Sequence, residues 1–193
     1  VLLYEFKATL NEYLAATPDT VKTRSLAEVI AFNIENADIE LPLFDQSIFE
    51  AAEITSNLED PRYIAARDAV LKATREEGID KLLAEHNVDV LVAPSGPIVP
   101  RVDPINGDVW PPFPGSGSMA AIAGYPHITV PMGTIHSLSV SFSFMGAKND
   151  DAKVLSYGYA FEQLTNKRAE PQYYTNAEDL PDIAEAMRGP KRY

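Results

Sequence analysis

The chain of 193 residues contains no cysteine at all. That absence excludes a disulfide framework, a thiolate metal site and a cysteine nucleophile, and it leaves the compartment open. Histidine is almost as scarce. His86, His127 and His136 are the only three, no two have metal-ligand spacing, and no His-Glu-x-x-His motif occurs, so a metal centre is not expected. Positive charge is short too. Sixteen Lys and Arg stand against 28 Asp and Glu, a net charge of −12, which repels phosphate backbones and anionic lipid and argues against nucleic-acid or membrane-surface partners. No apolar run approaches membrane-spanning length, and no signal-peptide pattern opens the chain. The chain starts at Val1 in mid-pattern, a start expected of a fragment or a processed product. There are no internal repeats and no low-complexity segment. With 46% hydrophobic residues, the chain has enough apolar side chains for one sizeable core.

What is present is organised around 88–146. Val88-Asp89-Val90-Leu91-Val92-Ala93 is an apolar run of strand length, read as a strand covered on both faces. A loop dense in Pro and Gly follows from Pro94 to Gly117, long enough to suggest a functional role. Ser118 to Ala123 reads as a short helix capped by Ser116 or Ser118 and closed by Gly124. His127 to Val130 and Leu138 to Phe144 read as strands around a turn at Gly133 to Ser137. In the second of these, Val140, Phe142 and Phe144 alternate with Ser139, Ser141 and Ser143, so one face is polar.

Around this centre the spacing predicts mainly helix. Val1 to Phe6 is β-permissive and would need a partner if extended, and a helical pattern follows from Lys7 to Ala16. Ser25 and Glu28 have the spacing of a capping box for the helix that begins at Leu26. A helix is expected over 47–58, with Ile48, Ala51, Ala52 and Ile54 on its buried stripe. Asp60-Pro61 starts the longest helical segment, to His86, with Ile64, Ala65, Ala69, Leu71, Leu82 and Leu83 inward and a break at Gly78. Asp150 opens a helix to about Leu164, with Val154, Leu155, Tyr157 and Phe161 inward, and a polar tail carries one more short helix from Asp182 to Met187. No domain boundary stands out. The order of helix, strand and pocket loop is that of an α/β fold.

No constellation of catalytic residues emerges from the residues themselves. There is no Gly-x-Ser-x-Gly elbow to present a nucleophile. His86 suits the C-terminal end of a helix, and His136 suits a solvated turn, whereas His127 opens a strand beside the long loop and is a candidate binding residue. Gly115-Ser116-Gly117-Ser118 before a helix could turn backbone N–H groups toward an anion or carbonyl oxygen, or could be no more than a flexible turn with a capping serine. Asp103 and Asp108 could be a carboxylate pair, but spacing inside a Pro/Gly-rich loop says nothing of their separation and turn formation is the favoured reading. Trp110, the only tryptophan, could floor an apolar subsite or pack on the neighbouring prolines.

Several motifs resemble the amidase-signature hydrolases, in particular their peptide-amidase-like branch. They are Asp89-Val90-Leu91-Val92-Ala93-Pro94, Gly96-Pro97, Asn106-Gly107-Asp108, Ala123-Gly124-Tyr125-Pro126 through Pro131-Met132-Gly133, and Ser143-Phe144-Met145-Gly146. The resemblance implies the C-terminal part of an amidase-signature fold over 1–168, a mixed sheet covered by helices, with a wrapping tail over 169–193. It also implies hydrolysis of carboxamide C–N bonds with release of ammonia, peptide C-terminal amides being one candidate substrate, and no cofactor. The family's serine nucleophile, its cis-peptide serine and its lysine lie in segments that precede the region matched here. No catalytic residue is therefore assigned, Ser95, Ser116 and Lys148 included, and the chain alone is expected to be inactive. The resemblance places Ser116, Gly117 and Ser118 in the substrate-facing wall, with Asp108, Trp110 and His127 as further substrate-binding candidates. The expected partners are the missing N-terminal half and a small amide or peptide-amide substrate. An exposed half-enzyme face could also drive homodimerisation. The departures from the family pattern are Asp45, where a glycine is usual, and Ile135 to Ser139, in place of a Gly-Leu-Pro hairpin. The contrasting reading is a self-sufficient acidic α/β module that binds a partner or ligand, has no hydrolytic role and closes its core.

Overall fold

In the computed structural model, the described residues are 1–100, 107, 112, 115–171, 173, 176 and 179–187. The chain divides into two compact units, one formed by Val1–Ala69 and the other beginning at Val70. Each is treated by itself.

The first unit is helical: α1 (Leu2–Ala15), α2 (Leu26–Glu35), α3 (Ala37–Glu40), α4 (Ser47–Glu53) and the first part of α5 (Pro61–Thr74). The opening residues are helical rather than extended. Leu3, Phe6, Leu10 and Leu14 recur at three- and four-residue intervals, and in the helix the aromatics Tyr4 and Phe6 both find partners. Tyr4 stacks on Tyr63 with ring centroids 5.5 Å apart, and Phe6 meets Phe49 at 5.4 Å, contacts that override local β propensity. The capping box forms as expected. Ser25 Oγ accepts from the Glu28 amide at 3.2 Å, and the Glu28 carboxylate accepts from the Arg24 amide, one residue earlier than the usual partner.

Helix α4 stops at Glu53, well short of Leu58. The Lys7 ammonium donates to the carbonyls of Glu53 and Thr55, the latter at 3.1 Å, and Thr55 Oγ1 donates to the Ala52 carbonyl at 2.6 Å. Cation and hydroxyl together satisfy the free carbonyls of a helix end, which a continuing helix would have bonded itself. Asp60 caps α5, accepting from the Arg62 amide at 2.8 Å and from the Arg62 guanidinium at 2.7 Å. Those bonds, with one from Ser56, hold its carboxyl far below the usual carboxylate range. Leu14, Leu26, Ala52 and Tyr63 form the buried residues of this unit, with Gln46 the one buried polar side chain. The expected inward faces of α4 and α5 are largely open: Ile48 is 63% and Ile54 87% exposed, and Ile64, Ala65 and Ala69 are exposed as well. Periodicity reports a face that needs cover, not what covers it.

The second unit holds the sheet. The end of α5 runs into a π-helical turn, Arg75–Ile79, whose Gly78 leaves helical geometry at φ −110° and ψ −106°. This is the expected break. Helix α6 (Asp80–His86) follows and ends on Asn87 in the left-handed region. The strands are β1 (Leu91–Pro94), β2 (His127–Ile135) and β3 (Leu138–Met145), in spatial order β1-β3-β2, and both pairings are antiparallel. β2 runs well past Val130, through a bulge between Pro131 and Gly133, so the turn is a tight one at His136 and Ser137, with φ of 49° and 69°. Two consecutive left-handed residues match the right-handed twist of the flanking strands. The remaining elements of the unit are α7 (Gly117–Ala123), α8 (Asp151–Thr165) and α9 (Pro181–Met187).

Because β3 is central and its side chains alternate, its two faces serve two layers. Phe142 and Phe144 pack with Val130, Ile128 and Val90 against Val154 and Phe161 of α8, with the three phenyl rings 5.3 to 5.7 Å apart. On the other face Met145 joins Ile79, Ala120 and Ala123, with Leu91, Ala93, Leu83 and Tyr125 around them. The strand over 88–93 is shorter than expected and not covered throughout, since Val92 is 49% exposed. Likewise Leu155 and Tyr157, read as inward-facing on α8, are exposed.

The close approach of α8 to the end of β3 depends on Gly146. A Cβ there would stand 2.5 Å from Val154 Cγ2, a side chain 2% exposed. Gly146→Ala is therefore expected to lower the unfolding free energy by about 1–3 kcal/mol through overpacking. Adding Val154→Ala should recover part of that loss, as read by urea denaturation.

Candidate functional site

The polar face of β3 is where the candidate residues meet. Ser143 is fully buried. Its register partners are Ala93 on β1 and Thr129 on β2, and alternation puts Ser95 and His127 on the same face. Ser143 Oγ donates to Ser95 Oγ at 2.8 Å, lies 2.7 Å from His127 Nε2 and 3.3 Å from Thr129 Oγ1. A buried hydroxyl with three partners uses its whole hydrogen-bonding capacity, one donor and two lone pairs.

Ser95 links this cluster to the loop before α7. Its amide donates to the Ser141 carbonyl at 2.8 Å, and its own carbonyl accepts from the Ser116 amide at 3.1 Å. Gly115 sits at φ +114°, where an added Cβ would press to 2.8 Å from the Ser95 carbonyl oxygen. Only glycine accommodates both that backbone and that contact. The result lays Ser116 and Gly117 beside the serine cluster. An added Cβ on Gly117 would stand 3.4 Å from His127 Cε1 and 3.7 Å from Nδ1, so the glycine lets the imidazole edge lie against the start of α7.

The structure thus brings together Ser116, Gly117 and His127 of the sequence candidates. Ser118 is in the first turn of α7 and exposed. Ser116 is the residue before the helix, as expected of a cap, yet its side chain makes no capping bond. Its Oγ is out of reach of solvent and makes no hydrogen bond among the described residues. Asp108, Trp110 and Asp103 lie outside the described residues. Lys148 is exposed beyond β3, His86 closes α6 in solvent, and His136 sits in the hairpin turn. Ser143 and Thr129 carry no candidate role in the sequence reading, although the alternation of serines along β3 marks the face on which Ser143 lies. Among the described residues, no group of three acidic or histidine side chains could hold a metal ion.

The Ala123-Gly124-Tyr125-Pro126 motif is a brace for this site. Arg75 Nε donates to the Ala123 carbonyl at 2.7 Å, and its guanidinium carbon lies 5.9 Å from the centre of the Tyr125 ring. Tyr125 donates its hydroxyl to Asp80 at 2.8 Å. Gly124 closes α7 in the left-handed region at φ 70°. Two hydrogen bonds and a cation–π contact, together with the glycine close, therefore hold the chain between α7 and β2, and with it the spacing between Gly117 and His127. Burial, then the bond to the Asp80 carboxylate, raises the Tyr125 phenol above the ordinary tyrosine value.

No family model matches the chain. A probable amidase of Arabidopsis thaliana is 34% identical over 176 residues, covering 89% of this chain and 30% of the relative. Among solved structures, native peptide amidase from Stenotrophomonas maltophilia superposes with a TM-score of 0.80 at 44% identity, covering 90% of this chain and 34% of that one. An amidase family protein from Bacillus anthracis superposes with a TM-score of 0.72 at 26% identity, covering 89% of this chain and 30% of that one. The chain spans about a third of the length of the relatives it matches.

Tyr125→Phe is expected to destabilise the second unit by about 1.5–3 kcal/mol, the worth of a hydrogen bond to a charged acceptor. A phenol whose pKa is raised on folding contributes stability that is complete below its unfolded pKa. That contribution is lost as pH rises through the folded value. The difference between wild type and Tyr125→Phe in urea denaturation should therefore be constant near neutrality and shrink on the alkaline side.

Proposed function

The chain belongs to the amidase-signature hydrolases, and from that premise we propose that it is the C-terminal part of a longer amidase that hydrolyses carboxamide C–N bonds and releases ammonia. The observation that carries this reading is the 44% identity to a peptide amidase across 90% of the chain, against coverage of only 34% of that enzyme. Peptide C-terminal amides are the substrate class that this likeness favours. In the reaction a serine oxygen attacks the carboxamide carbon, the C–N bond breaks with a proton delivered to the departing nitrogen, and water then releases the acyl group. The serine, its cis-peptide serine partner and the lysine are supplied by sequence upstream of this chain, and the chain contributes sheet strands and one wall of the pocket. That wall is His127 with Ser116, Gly117 and Ser118, to which the proposal adds Asp108 and Trp110. The amidase portion is assigned to 1–168 and the wrapping tail to 169–193.

Burial supports an incomplete structure. Among the described residues, eleven hydrophobic side chains reach core burial while 25 large ones stay exposed, Phe44, Ile54 and Leu164 among them. Isolated exposed apolar residues are normal, but an excess of this size is what a missing covering layer leaves behind. A self-sufficient acidic binding module would close its core, and these side chains count against it.

The test is ammonia release from a C-terminally amidated peptide by the 193-residue chain and by the polypeptide extended upstream through the Gly/Ser-rich and lysine segments. An active extended protein beside a silent chain is the expected result. Hydrolysis by the 193-residue chain itself would overturn the assignment of the nucleophile.

A further inference from the structure

The bonding of Ser143 determines more than the position of His127. A serine hydroxyl has one proton and two lone pairs. Ser143 commits its proton to Ser95 Oγ at 2.8 Å. Toward His127 Nε2, at 2.7 Å, and Thr129 Oγ1, at 3.3 Å, it can then only accept. Ser143 is 0% exposed, so its hydroxyl finds its partners within this cluster and not in solvent. With the Ser143 proton directed to Ser95, the imidazole carries its proton on Nε2, which leaves the lone pair on Nδ1. The edge of the ring bearing Nδ1 lies toward Gly117, at the wall described above.

We infer that Ser143 and Ser95 form a positioning pair that fixes neutral His127 as the Nε2–H tautomer, so that Nδ1 acts as a hydrogen-bond acceptor for an N–H donor, the group that a carboxamide presents. Only the chemical class of the donor rests on the proposed function. The tautomer follows from the serine pair and is read without any turnover. Histidine's two nitrogens are otherwise interchangeable as donor and acceptor, and a wall that must receive an N–H can use only one of the two forms.

The pair also predicts how the tautomer is reversed. Removing the Ser95 hydroxyl frees the Ser143 proton to turn toward His127 Nε2, which would then accept and move the imidazole proton to Nδ1. Removing the Ser143 hydroxyl instead releases the ring. The experiment is a long-range 1H–15N correlation spectrum of the 193-residue chain labelled in histidine, above the pH at which the imidazoles are neutral. The His127 signals are identified by their loss in His127→Gln. Wild type should show the proton on Nε2. Ser95→Ala should move the tautomer ratio toward Nδ1–H by about tenfold, the worth of one hydrogen bond, and Ser143→Ala should give a mixture, with both variants retaining the wild-type amide spectrum. A wild-type His127 protonated on Nδ1, or a ratio unmoved in both serine variants, would overturn the inference. Loss of amidase activity in a longer polypeptide bears on the proposed function and leaves this outcome untouched.

Discussion

The two-faced bonding of β3 is the constraint on which the second unit depends. The strand lies between β1 and β2, so both edges of its backbone are hydrogen-bonded, and a one-residue slip would exchange its faces. In the observed register Phe142 and Phe144 meet α8, while Ser143 and Met145 face α7. A slip would drive serines into the aromatic layer and phenyl rings into the hydroxyl cluster. The aromatic side is a non-directional apolar contact; the serine side is directional and holds one histidine in one orientation. A single strand thus joins the stability of the sheet to the chemistry at its edge.

Much of this was legible in the sequence because it rests on local rules. The capping box at Ser25, the break at Gly78, the left-handed close at Gly124 and the extent of α8 each follow from residue types at fixed offsets, and the structure has them. The alternation of Phe and Ser along β3 gave the polar face before any partner was known. What local rules could not give is which residues cross that face. Ser95 and Ser143 lie 48 positions apart in the chain, and only strand register brings their hydroxyls together. Val1 to Phe6 misled for a similar reason, since its helix is favoured by Tyr63 and Phe49, contacts absent from any local window. The inward faces assigned to α4 and α5 failed differently: the pattern is real, but much of the cover it calls for is not found on Ile48, Ile54 or Ile64.

In the proposed site, histidine, glycine and buried serine build a wall of fixed hydrogen-bond polarity, and the Arg75, Asp80 and Tyr125 contacts keep His127 and Gly117 at their spacing. Rigid supports of this kind are what a binding site needs. The likeness to peptide amidase over about a third of its length and the exposed apolar side chains agree with the proposal of a part that supplies support and recognition within a longer amidase.

Amide hydrogen exchange of the 193-residue chain tests the central claim most directly. If β3 is the strand on which both layers are built, the amides from Ser141 to Met145 exchange among the slowest in the chain, slower than those of α4 in the helical unit. Rapid exchange along β3 in a chain that remains folded would contradict the account, since neither the aromatic layer nor the serine cluster could then hold its register.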